Sequence, residues 1–275
     1  MKLVAILNLT PDSFSDGGKY NSHDATISHL HKLLDDGADV IDVGAESTRP
    51  GAVPLDSDLE WQRLEKILPE IISEVKKFNR NHNKKVSTSI DSRHYETIVK
   101  SCELGIDIVN DVSGLADVKV IKFVAQNKIK CVFMHSLSVP ANPNLIINPH
   151  LNVNAEIIDW AAKKMFDLQA MGVEKSQLIF DPGIGFNKNA AQSIKILKGI
   201  NDFKVLQLPI YVGHSRKSFL NSIDFSQNEW HCQATDLNLN QDQKTAIISR
   251  YLYSKNVDYI RVHDVAINRN TSAKN

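Results

Sequence analysis

Short apolar runs rich in β-branched residues recur along the chain. Each is followed by a longer stretch in which apolar positions return every third or fourth residue. The runs are KLVAILN (2–8), DVIDVG (39–44), VSTSID (86–91), IDIVND (106–111), IKCVFMH (129–135), LIFD (178–181), PIYVGHS (209–215) and DYIRVHD (258–264). Between them the periodicity predicts helices at 24–36, 57–79, 94–103, 117–127, 153–171, 190–198 and 241–255. Short apolar runs bounded by polar residues read as strands, and helical crossovers between them make neighbouring strands parallel. Ser57, with Glu60 three residues on, supplies a capping signal for the long helix at 57–79.

Strands and helices that alternate through eight runs favour a closed (βα)8 TIM barrel over an open sheet. A length of 275 residues fits one such domain, since these barrels commonly need about 250. No Pro/Ser/Gly-rich linker divides residues 1–275. Only Ala266 to Asn275 follow the last run, so the eighth helix is expected to be short or incomplete. The stretches 136–152 and 221–240 are polar, lack periodicity and read as loops or inserts.

Composition narrows the function classes. Lys plus Arg and Asp plus Glu both total 32, so no overall field draws the chain to nucleic acid or to an anionic membrane. An apolar share of 42% can fill a large core, yet no apolar run approaches the roughly 18 residues of a membrane span, and no basic-then-apolar leader opens the chain. Cys102, Cys131 and Cys232 are far apart, odd in number and without ligand spacing, which fits plain thiols in a reducing cytoplasm.

Catalytic groups of a βα barrel gather where strands exit at their C-terminal ends. Here every exit carries a group that hydrogen-bonds or ionises: Asn8, Asp42 with Glu46, Asp91, Asn110 with Asp111, His135, Asp181, His214 with Ser215, and Arg261 with His263. A carboxylate in that position is partly desolvated and needs a donor, either a polar ligand or a neighbouring cation. DPGIGF (181–186) puts glycines after an acid, so a ligand can approach the backbone. GHSRKS (213–218) brings two cations and two hydroxyls to the start of an expected helix. In IRVHDV (260–265), Arg261 and His263 share one face of a strand, as two anion-binding groups would for a phosphate. AESTRPG (45–51) places Thr48 and Arg49 in an extended loop before Pro50.

In this order, LNLTPDSFSDGG, ESTRPG, SIDS, NDVSG, MH, DPGIGF, SRKS and RVHDV resemble the signature set of the dihydropteroate synthase family, over residues 3 to about 265. The resemblance implies a transferase of folate biosynthesis that joins 6-hydroxymethyl-7,8-dihydropterin diphosphate to 4-aminobenzoate, releasing pyrophosphate, with Mg²⁺ as cofactor. It assigns the pterin diphosphate to Thr48, Asp91, Asn110, Met134, Asp181, Lys217, Arg261, Val262 and His263, and the aminobenzoate to Phe14, Thr48, Arg49, Pro50 and Ser218, with Asp12 beside them. Catalysis falls to Lys217, Arg261, His263 and Asp91, and Asn8 helps to carry Mg²⁺. The pterin's amino and ring N–H groups suit carboxylates, while its carbonyl and ring nitrogens suit Asn and Lys. An aniline is nucleophilic while neutral, so no Ser/His/Asp or Cys/His arrangement is expected.

The resemblance also allows a homodimer and a folate-pathway enzyme, fused or separate, as partner. Departures from the family pattern are His214 in place of an apolar residue, SLSVPANPN after the fifth strand, the stretch 221–240, and the short C-terminus. Two alternatives fit parts of the pattern: a non-catalytic pterin-binding module, and a methyltransferase passing a methyl group from a methylated folate to a corrinoid protein. The methyltransferase has no use for SRKS with RVHD as a pyrophosphate clamp, and the clamp residues, intact in the sequence, argue against the non-catalytic module.

Overall fold

In the computed structural model, residues 1–9, 22–47, 53–142, 144–230 and 238–272 are described. Eight parallel strands alternate with helices: β1 (Lys2–Asn8), α1 (Ser22–Asp35), β2 (Val40–Gly44), α2 (Ser57–Leu64), α3 (Leu68–His82), β3 (Ser87–Asp91), α4 (Tyr95–Leu104), β4 (Ile108–Asp111), α5 (Val118–Gln126), β5 (Lys130–Met134), α6 (Val153–Ala170), β6 (Leu178–Asp181), α7 (Ala190–Lys198), β7 (Tyr211–Val212), α8 (Gln241–Ser254), β8 (Tyr259–Val262) and α9 (Val265–Ser272). The sheet runs β6-β5-β4-β3-β2-β1-β8-β7. A single parallel bridge, Phe180 with Ile210, joins its two ends into a nearly closed barrel. β7 is shorter than the sequence run because Pro209 has no N–H to donate; its carbonyl instead accepts from Phe180 at 2.9 Å.

Strand alternation sorts the core into two layers. Val4, Val40, Ile108, Val132, Ile179, Tyr211 and Tyr259 fill the barrel interior. Leu3, Ala5, Ile41, Val43, Ile90, Val109, Phe133, Phe180, Val212 and Ile260 face outward into the larger core shared with the helices. At the base, a repeated device links helix ends to strands. Gly37, Gly105 and Asn256, all at positive φ, each stand two residues before an aspartate. Those aspartates, Asp39, Asp107 and Asp258, accept from the backbone N–H of Leu3, Thr88 and Ile210 in adjacent strands, each at 2.8 Å.

The single helix expected over 57–79 is two. Pro69 cannot continue α2, and it sits at the first turn of α3, where its missing N–H costs nothing. The cap is also one residue earlier than Ser57. Asp56 accepts from Leu59 N, and Glu60 is buried and takes a bond from Ser92 Oγ at 2.7 Å instead of closing a capping box.

The eighth helix of the barrel, α9, is short, and a buried polar chain holds it. His214 Nε2 lies 3.0 Å from Ser249 Oγ, Ser249 donates to Asn268 Oδ1, and Asn268 donates to the Asp264 carbonyl. Arg269 adds bonds to the Gly37 carbonyl and Asp39. The unusual His214 therefore ties the β7 exit to α8 and α9. Burial lowers its pKa to about 4, so it packs as the neutral ring. The stretch expected as a polar insert is anchored as well: Phe225 and Trp230 are buried, and Trp230 meets Tyr251 at 5.1 Å between ring centres. Of its remainder, 231–237, with Cys232, lies outside the described residues. Cys102 and Cys131 are free thiols pushed up to about 12 by burial, as expected of inert structural cysteines. Among the described residues no helix is long and apolar enough to cross a membrane.

Candidate active site

The pairing register sets Asn8, Gly44, Asp91 and Asn110 in one row across the barrel mouth. Gly44 keeps this row open: a Cβ there would stand 3.2 Å from the Asp91 Cβ. Asp42 lies one inward step below, on β2. From β8, Arg261 reaches across and donates Nε to Asp42 Oδ2 at 2.6 Å and Nη2 to Asp91 Oδ2 at 2.7 Å. Asn110 Nδ2 adds a bond to the same Asp42 oxygen at 3.1 Å. One guanidinium is thus shared by two carboxylates in a buried setting, and among the described residues these bonds engage two of its five N–H groups.

The electrostatics follow from that sharing. Burial pushes Asp91 up to about 7 against the pull of Arg261, and the Asp42, Glu60 and Asp111 carboxylates add to the rise. Burial also opposes the charge on Arg261, yet Asp91 and Asp42 outweigh it and raise its pKa above the ordinary value. The group that gives way on protonation is a carboxyl, never the guanidinium.

Across the mouth, the DPGIGF turn is laid on the end of β5. Gly183 has φ +66°, and a Cβ there would fall 2.0 Å from the His135 carbonyl oxygen, so only glycine fits. Its N–H donates to Asp181 Oδ1 at 2.7 Å. Asp181 is buried, and burial raises its pKa while the Lys217 ammonium draws it back. Lys217 arrives from the β7 exit, donates to the Ile184 carbonyl and holds its ammonium 4.6 Å from the Phe186 ring centre. Burial lowers Lys217 to about 8, against the pull of Asp181. Met134 is buried beside Gly183, with its Cγ 3.2 Å from where a Cβ would stand.

His263 is oriented by Ser215, whose Oγ lies 2.9 Å from Nδ1 and accepts from the His263 backbone N–H at 3.2 Å. Of the two cations in GHSRKS, only Lys217 joins the mouth. Arg216, at φ +57°, turns out to an exposed bidentate pair with Asp242, at 2.6 and 2.9 Å. Ser218 is exposed at the start of the 3-10 turn Ser218–Ser222. The Val262 side chain lies in the outer core, which leaves only its backbone groups to offer a ligand.

Among the described residues no three His, Cys, Asp or Glu side chains converge as a metal cage. The Asn8 amide oxygen at the end of β1 is the donor type that suits a magnesium ion taking its other ligands from water and substrate phosphates.

A model of the family described as pterin binding enzyme matches residues 4–263. The dihydropteroate synthase of Streptococcus pyogenes serotype M6 is 31% identical over 98% of this chain and 93% of its own length. The chain is a member of the dihydropteroate synthase family. A solved relative, the dihydropteroate synthase of Anaplasma phagocytophilum with bound 6-hydroxymethylpterin-monophosphate, superposes with TM-score 0.82 at 34% identity, covering 98% of this chain and 96% of that one. A Halobacterium salinarum protein named as a probable bifunctional folylpolyglutamate synthase/dihydropteroate synthase is 33% identical over 97% of this chain, which spans only 30% of that longer protein.

Within this family member, then, the fold gathers Asp91, Asn110, Met134, Asp181, Lys217, Arg261 and His263 at one mouth, with Asn8 on the same rim. Phe14, Thr48, Arg49 and Pro50, together with Asp12, lie outside the described residues. The residues that sequence reasoning left without a role are Asp42 and Ser215. For Asp42 the signal was present: an acid at an inward position inside the apolar run DVIDVG has to be paired. Ser215 gave none beyond its place in a polar motif.

Proposed function

We propose that the chain is a dihydropteroate synthase. The observation that carries this reading is the division of charge at the barrel mouth: Arg261 held between Asp42 and Asp91 on one side, Asp181 against Lys217 on the other. A flat heterocycle with donors on one edge and a diphosphate on its side arm matches that division.

Asp181, Asn110 and Asp91 take the donor edge of the pterin, Lys217 takes its carbonyl and ring nitrogen, and Met134 packs on the ring. Arg261 and His263 hold the diphosphate. The carbon–oxygen bond to the diphosphate breaks with its electron pair leaving on pyrophosphate, and the lone pair of the aniline nitrogen forms the new carbon–nitrogen bond. The nitrogen then sheds a proton. The residues stabilise the charge that develops, and no strong general base is required. Asn8, together with the diphosphate, would hold a magnesium ion, which supplies positive charge to the leaving group. Phe14, Thr48, Arg49, Pro50 and Ser218 frame the aminobenzoate. The enzyme works in the cytoplasm as one barrel domain, with a second copy of the chain or another folate-pathway enzyme as partner.

Sulfonamides resemble 4-aminobenzoate in shape and charge. They should raise its apparent KM without lowering kcat, and purely non-competitive inhibition would contradict the assigned second site.

A further inference from the structure

Lys188 lies just beyond the DPGIGF turn and is buried, a position in which a lysine is rarely found without a task. It finds three acceptors: His135 Nδ1 at 2.9 Å, the His135 carbonyl at 3.2 Å and the Phe186 carbonyl at 2.8 Å. We infer that Lys188 is a positioning residue for the pterin pocket, setting Asp181 and the Phe186 ring in place and supplying Asp181 with a second cation behind the pocket wall. The inference rests on the pterin-binding reading given above.

Three geometric facts support it. The three contacts match the three N–H donors of an ammonium, so the geometry favours the charged form. One set of bonds reaches the end of β5 and the other the sixth loop, so Lys188 fastens the turn carrying Asp181 to the strand carrying Met134. The preceding residue fixes the lysine in turn. Asn187 Oδ1 accepts from Ser136 Oγ and from the N–H groups of Leu137 and Ser138, while Nδ2 donates to Ser138 Oγ and to the carbonyls of Asn142 and Leu145, all within 2.9–3.1 Å. Much of the described fifth loop, the stretch that departs from the family pattern, is bonded to this one side chain, and Gln192 adds a bond to the Ile147 carbonyl.

The charges facing Asp181 are Lys217 from the β7 exit, Lys188 from its own loop and Arg261 from β8, with the Gly183 N–H as a neutral donor. Burial lowers the Lys188 pKa well below its ordinary value; Asp181 pulls it back up, the Lys217 ammonium adds to the lowering, and the three contacts at Nζ favour the cation. His135, whose pKa burial lowers to about 3, stays neutral and accepts at Nδ1. Removing the Lys188 charge leaves the Asp181 carboxylate one cation short, so the carboxyl protonates at higher pH and the donor edge of a pterin loses its acceptor.

The test is equilibrium binding of 6-hydroxymethylpterin across pH, with the KM for 4-aminobenzoate, on the parent chain, Lys188→Met and Lys188→Arg. Lys188→Met should have the acid limb of its pterin-binding profile moved up by about one pH unit, which is about tenfold weaker binding at any pH on that limb. Its KM for 4-aminobenzoate should not change. Lys188→Arg, which keeps the charge, should restore the acid limb. If Lys188→Met does not fold, the acid limb of Lys188→Arg carries the test, and a displaced limb there overturns the inference. An unmoved acid limb in Lys188→Met, or equal losses toward both substrates, overturns it too. A parent chain that does not bind pterin removes the functional reading itself and this inference with it, a result distinct from a parent that binds and a variant that is indifferent.

Discussion

Replacing Arg261 with methionine tests whether the guanidinium is what allows two carboxylates to share the barrel mouth. Arg261→Met keeps the length of the stem and removes the cation held by Asp42 and Asp91 at 2.6 and 2.7 Å. Breaking a buried ionic cluster from one side typically costs about 3–5 kcal/mol, because charge is left uncompensated. Here two like charges are left. The two bond lengths and the width of a guanidinium put the carboxylates roughly 6 Å apart, which corresponds to about 3 kcal/mol of repulsion at an effective dielectric of about 20. The double variant Asp42→Asn/Arg261→Met removes that repulsion, and it should recover about 2–3 kcal/mol relative to Arg261→Met alone. The deficit of the single variant should also depend on pH. Asp91, pushed up to about 7 by burial even with Arg261 in place, loses that cation, so the folded state binds more protons than the unfolded one and stability falls as pH rises; the deficit should shrink from about pH 8 to about pH 5. Urea unfolding of the parent, the two single variants and the double variant measures each quantity. Simple additivity, with the double variant as unstable as the sum of the singles, would refute the shared-cation account.

Lys217→Ala should weaken pterin binding strongly in a titration of the free pterin, and unchanged affinity would remove Lys217 from the pocket. Gly183→Ala should cost about 2 kcal/mol or more in chemical unfolding, since it joins positive-φ strain to a contact of 2.0 Å with the His135 carbonyl; a variant as stable as the parent would mean that the turn is not laid on β5 as described. His214, with a folded pKa of about 4 against 6.5 for an unperturbed ring, binds fewer protons folded than unfolded in that window. It therefore makes stability fall as pH drops from 6.5 toward 4, and His214→Gln, which keeps a polar contact for Ser249, should flatten that fall in thermal melts across pH.

The strands were legible because each lies within one apolar run, although β7 fills only Tyr211–Val212 of the run 209–215, and the inward and outward layers follow from period two. The helix over 57–79 was misread because its amphipathic pattern runs through Pro69, and periodicity does not register a missing N–H. Asp56 was passed over as cap because Ser57 and Glu60 match a capping box, whereas burial commits Glu60 to Ser92. At the site, the convergence of residues at or just beyond their own strand exits was legible: Asp91, Asn110, Asp181, Lys217 and Arg261. Those whose role lies in supporting another residue across the barrel were not. Asp42 matters through Arg261, which is 219 positions away. Asn187 and Lys188 matter through a loop and a strand end about fifty positions earlier, and no local pattern marks a side chain whose partners are chosen by the fold. The pair of cations in GHSRKS also looked equivalent in sequence, until the left-handed backbone at Arg216 sent one of them to Asp242.

The measurement that bears most directly on the whole account is pyrophosphate release from 6-hydroxymethyl-7,8-dihydropterin diphosphate by the purified chain with Mg²⁺, with and without 4-aminobenzoate. The account predicts release that depends on 4-aminobenzoate and matches the 7,8-dihydropteroate formed. Tight pterin binding with no turnover, or release indifferent to 4-aminobenzoate, would contradict it.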